Sequence, residues 1–167
     1  MLKEDDVHAL FNERTLRLSS FACDLSRNNL SLTLLHSELS EFDLNVAKVV
    51  RGNSDPNFLL QKIVSTSVTK RNCSTAACYL ESKMLTKEAV EKMAYFETSG
   101  FAISNDTKYE VLRHNASYYA QEGQWEKNYK ALLELERLPV DKADIVELQT
   151  LIARAERFVS EIGRAHV

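Results

Sequence analysis

The sequence predicts an all-α fold, and three observations predict it. Four Gly and two Pro in 167 residues are few; strands joined by tight turns consume both types, while helix interiors avoid them. Apolar residues recur at steps of three and four along most of the chain, the spacing of one helix face. Polar starts and Gly, Asn or Pro stops punctuate these runs at helix-sized intervals.

The first element is an N-terminal helix over residues 4–27. Val7, Leu10, Phe11, Leu18, Phe21, Ala22 and Leu25 share a face, and Glu4, Asp5 and Asp6 sit at its start, where carboxylates favour the positive end of the helix dipole. Asn28-Asn29 marks its break. A second helix is expected from about Leu30 to Leu39 and a short third from Asp43 to Val50, with Gly52-Asn53 as the stop. Asp55 then caps and Pro56 opens a helix through Phe58, Leu59, Leu60, Ile63, Val64 and Val68. Its hydroxyl-rich tail, 65–69, has weak helix propensity, so the pattern leaves open a break near Asn72 or continuation to Leu85.

Thr86 is expected to cap a helix from Lys87 to Phe96 or beyond, with a loop at Gly100 and 104–106. Asp106 or Thr107 starts the next helix, which ends near Gly123. Another runs from Gln124 to Leu138 and stops at Pro139. Asp141 caps the last, 141–163, with Asp144 three residues on. There Ile145, Leu148, Ile152, Ala155, Val159 and Ile162 form a heptad seam, widened by Val146, Leu151 and Phe158. Barely three heptads suit a helix lying on its own domain, with a dimerising helix as the alternative. The chain as a whole, 1–167, reads as one helical domain with hairpins over 28–140.

Residues 108–139, KYEVLRHNASYYAQEGQWEKNYKALLELERLP, resemble a tetratricopeptide repeat: helix, Gly turn, aromatic, helix, Pro. Leu112, Ala116 and Tyr119 match the large, small and large positions of the first helix, Trp125 follows the turn, and Leu132 matches on the second. Asn115 and Asn128 depart from the apolar and Ala positions, Leu135 is bulky, and Pro139 falls one residue early. A fainter copy spans 71–101, with Ala77, Leu80, Ala89 and Met93 in the same frame and its turn at 84–87. The two copies lie further apart than the family period, with the excess at 98–106. A third is traced around 32–50 with Phe42 after its turn.

The resemblance implies a short tetratricopeptide-like array with N- and C-terminal flanking helices. In layout it is similar to small type III secretion chaperones for translocator proteins. It also implies a concave surface lined by the first helices of the hairpins. On the better hairpin that surface would present Tyr109, Arg113, Asn115 and Tyr118 to a protein or peptide partner. The expected function is therefore a non-enzymatic interaction module, a chaperone or assembly adaptor. The alternative is a helical subunit or regulatory protein that forms a homodimer through Ile145, Leu148, Ile152 and Val159.

Other classes find little support in the residues. Twenty-one Lys+Arg against 24 Asp+Glu leave a net charge of -3, with no basic stripe of the kind nucleic acid requires. No apolar run approaches a membrane span of roughly 20 residues. His8, His36, His114 and His166 are scattered, and no metal or cofactor site is expected. Glu38 with Glu41, and Glu134 with Glu136, read as neighbours on solvated faces. Three widely spaced cysteines, Cys23, Cys73 and Cys78, argue against a disulfide framework. With an acidic N-terminus, they suggest a cytoplasmic, reducing setting or release by a signal-independent route.

Overall fold

The computed structural model describes residues 32–72, 75–141 and 145–165. The expected N-terminal helix over 4–27 lies outside them, as does Asp144 of the final cap. Among the described residues every regular element is helical: α1 (Leu32–Val50), α2 (Pro56–Arg71), α3 (Ala76–Thr98), α4 (Asn105–Gln121), α5 (Trp125–Arg137) and α6 (Ile145–Ala165). None of these helices is long and apolar enough to cross a membrane. Contacts separate the chain into two compact units, Met1–Ile103 and Ser104–Val167. The boundary falls inside the 98–106 stretch that holds the excess spacing between the repeat-like copies.

In the first unit α2 packs on both α1 and α3. Its core takes Leu39, Val46 and Val49 from α1, Leu59, Leu60 and Ile63 from α2, and Leu85, Ala89 and Phe96 from α3. Asp55 caps α2 by accepting from the Asn57 amide at 2.9 Å, with Pro56 in the first turn. The weak tail of α2 is nonetheless helical, and two of its hydroxyls bond back one turn. Thr66 donates to the Lys62 carbonyl at 2.9 Å and Thr69 to the Ser65 carbonyl at 3.0 Å, which satisfies them without competing for a turn. The helix ends at Arg71, and Thr75 caps α3.

Three sequence expectations are corrected here. The predicted separate helices over 30–39 and 43–50 are one helix, α1, with Phe42 buried in its middle rather than following a turn. No turn exists at 84–87: α3 runs through it, so the fainter copy over 71–101 is built on one continuous helix and is not a hairpin. Thr86 is no cap. It is buried, with its hydroxyl 2.7 Å from that of Ser67, which also donates to the Ser82 carbonyl at 2.8 Å. Small hydroxyl side chains let α2 and α3 approach closely and still satisfy their polar atoms.

Charge is also buried in this unit. The Lys92 ammonium sits 2.6 Å from Glu88 and 3.5 Å from Asp43, and the three residues are 4%, 0% and 2% exposed. Lys70 lies 3.1 Å from Glu38 and 3.2 Å from Glu81. Burial works to lower the Lys70 pKa, but hydrogen bonds and charge from both carboxylates outweigh it and hold it above the ordinary lysine value. Glu38 therefore faces a lysine rather than sharing a solvated face with Glu41. Cys78 is engaged in a disulfide, a correction to the reading of the cysteine count; Cys23 and Cys73 lie outside the described residues. Spacing along the chain does not report the close approach that a disulfide requires.

Candidate interaction surface

The second unit contains the better repeat-like hairpin. Ser104 caps α4, its hydroxyl accepting from the Thr107 amide at 3.2 Å. The helix closes at Gly123, whose φ of 73° is the left-handed conformation that glycine adopts without strain. The Gly123 amide donates to the Ala120 carbonyl at 3.1 Å and the Gln124 amide to the Tyr119 carbonyl at 2.8 Å. These two bonds satisfy the orphan carbonyls of the last turn and aim Trp125 into α5. The α5 helix stops at Leu138, extended before Pro139 as the pyrrolidine ring demands.

The α4–α5 contact is built on Ala116. Leu132, Leu135, Leu148 and Ala155 are buried with it, and Tyr109, Leu112, Trp125, Tyr129, Leu151 and Ile152 pack around them. Asn128 is buried too, and its side-chain amide donates to the Ala116 carbonyl at 2.8 Å. The polar departure at position 128 thus joins the two helices.

The residues expected on an open concave face divide. Arg113 is exposed, Asn115 is half-buried, and Tyr109 leans on the core. Tyr118 is only 4% exposed, where the expectation was an open face. Thr107, Val111 and Tyr118 share a second face of α4 by their spacing of four and seven, and all three are buried. Only the face towards α5 was legible in the sequence. His114 is half-buried beside Glu110, at 3.6 Å. Among the described residues no three His, Cys, Asp or Glu side chains group as metal ligands.

The heptad seam is mostly spent within the unit. Leu148 is buried and Ile152 packs on the α5–α6 core; Val159 is half-buried. At the start of α6, however, Ile145 is 49% and Val146 is 73% exposed. Next to them Glu147 reaches Arg113 of α4 at 3.8 Å. The structure therefore brings one residue of the expected binding face against the open end of the expected seam.

Sequence reasoning names Trp125 and Phe158 separately but not their stack or the two arginines beside it. The rings of Trp125 and Phe158 stack at 4.4 Å with an interplanar angle of 16°. The Arg154 guanidinium lies over Trp125, 5.2 Å from its centroid, and that of Arg157 over Phe158 at 5.0 Å. Arg154 and Phe158 are four apart on α6, a spacing that places them on one face and was readable in the sequence. Compared with protein-family models, curated proteins and solved structures, the chain matches none of them.

Proposed function

We propose that this protein is a non-enzymatic interaction module that holds a protein or peptide segment, as a chaperone or assembly adaptor does. The observation that carries the reading is the uncovered apolar end of α6. Ile145 and Val146 stand exposed on a helix whose other apolar residues are largely packed, and the Arg113–Glu147 pair borders them. Apolar side chains grouped within a polar rim are the usual composition of a protein-binding patch. The α4–α5 hairpin, with its glycine turn and small contact residue, adds support through its likeness to a tetratricopeptide unit. That likeness extends in outline to type III secretion translocator chaperones.

The test is a photo-reactive residue placed at Val146 in the full chain, expressed in its native source and irradiated. A dominant cross-link to a different protein, lost when Ile145→Ser and Arg113→Ala are added, is the expected result. Cross-links to a second copy alone would favour the oligomerising reading, for which the exposure of Ile162 at the far end of α6 also speaks. Background labelling alone would sink both.

A further inference from the structure

We propose that the Arg154–Trp125–Phe158–Arg157 stack is a docking site for an acidic segment of a partner protein, whose carboxylates the two guanidiniums take. This deepens the interaction-module reading and rests on it. Cation–ring contacts of this kind occur roughly once per 70–80 residues. The three found among the described residues, these two and Lys127 over Tyr119 at 5.9 Å, all fall in the single unit Ser104–Val167.

The arginines are the informative part. Both are exposed, and neither has a carboxylate within ion-pair reach among the described residues, although Glu156 and Glu161 lie on the same helix. A guanidinium attracted to a ring face uses none of its N–H donors as hydrogen bonds to that ring and can still offer them to a carboxylate. Each arginine is therefore an exposed cation held beside a ring. The rings are fixed in turn: Trp125 packs on the unit's core and Phe158 stacks on Trp125. A partner carboxylate meets arginines already ordered, so less side-chain entropy is lost on binding. Arg and Trp are also the residue types that dominate interface energetics.

Charge selects the occupant. Two guanidiniums beside one stacked ring pair match two discrete carboxylates. The glutamates on α6 and the chain's net charge of -3 oppose a long polyanion, which needs an extended basic track. The chemistry points to a short acidic peptide segment.

Trp125 is the single tryptophan of the chain, so its fluorescence reports directly on the stack. An oligoglutamate peptide is titrated into the full-length protein, with oligolysine and single-stranded oligothymidylate as separate arms. The expected result is a saturable change with oligoglutamate alone, weakened by salt. In R154Q/R157Q, whose helical circular dichroism should be unchanged, affinity should fall by about tenfold or more, the loss expected when charge-assisted hydrogen bonds are removed. R154K/R157K keeps the charge without the planar fork and should fall between the two. Three results would overturn the proposal: no saturable response to oligoglutamate, equal binding by R154Q/R157Q or R154K/R157K, or a stronger response to oligothymidylate. Should the Val146 cross-link capture a partner that binds R154Q/R157Q unchanged, the interaction reading stands and this site falls.

Discussion

The side-chain amide of Asn128 donates to the backbone carbonyl of Ala116 at 2.8 Å, in the buried seam between α4 and α5. The other amide atom, Oδ1, is buried with no hydrogen-bond partner among the described residues. The two atoms have opposite consequences. Asn128→Ala removes a hydrogen bond with a net contribution of about 1 kcal/mol. It also removes an unsatisfied acceptor and gains about 0.5 kcal/mol of helix propensity. The expected net change is small, within about 1 kcal/mol by the same magnitudes. Asn128→Asp instead sets a carboxylate against a carbonyl and should cost more than about 2 kcal/mol at neutral pH. The deficit should shrink in acid, where a protonated carboxyl can donate. Urea denaturation of both variants at two pH values checks the order.

Lys92 is held between Asp43 and Glu88 with almost no solvent contact. Replacing it by Met preserves volume and leaves two carboxylates buried without their shared cation. Breaking a buried pair by removing one partner costs about 3–5 kcal/mol. Chemical denaturation of Lys92→Met should show a loss of that size at pH 7. An unchanged midpoint at pH 7 would remove these contacts from any account of the first unit's stability.

These two sites also mark where the sequence stopped being informative. The α4–α5 hairpin was legible because its signals are local: Gly123 at the turn, Ala116 at the contact, Pro139 at the stop. Thr86 was misread because a threonine ahead of Lys-Glu has the local signature of a cap. Its real partner is Ser67, nineteen residues away on another helix. Asp43, Glu88 and Lys92 each signal solvent when taken singly, and only the packing of α1 against its neighbours makes them an interior group. Tyr118 is buried along with Thr107 and Val111, a second apolar-facing row that the polar residues around it hide in the sequence. Arg154 and Arg157 play no part in the sequence reading, although the four-residue step from Arg154 to Phe158 was available.

Lys70 supplies a pH dependence with a definite sign. Its pKa is raised in the folded chain above the ordinary 10.5 because Glu38 and Glu81 outweigh the effect of burial. A raised cation pKa contributes stability that is fully present below the unfolded value and is lost as pH climbs through the folded one. The stability difference between wild type and Lys70→Met should therefore be constant up to about pH 10 and shrink above 10.5. Thermal or urea unfolding of the two proteins across the alkaline range measures it; a difference that grows there would reverse the assignment.

The role of α6 can be settled by comparing two alanines two residues apart. Ala155 is fully buried with Leu132, Leu135 and Leu148, whereas Ala153 is exposed. If α6 is chiefly a packed element of its own unit, Ala155→Leu forces extra volume into a closed contact and should cost about 1–3 kcal/mol. Ala153→Leu should leave stability within about 0.5 kcal/mol, the usual range for an exposed site. A seam reserved for a second copy predicts the opposite for Ala155→Leu, because a larger apolar residue on a free heptad face would strengthen self-association. Unfolding midpoints together with sedimentation at two protein concentrations separate these outcomes. Removing residues 141–167 altogether takes Leu148 and Ala155 out of the core, so it should unfold α4 and α5 rather than leave a folded monomer.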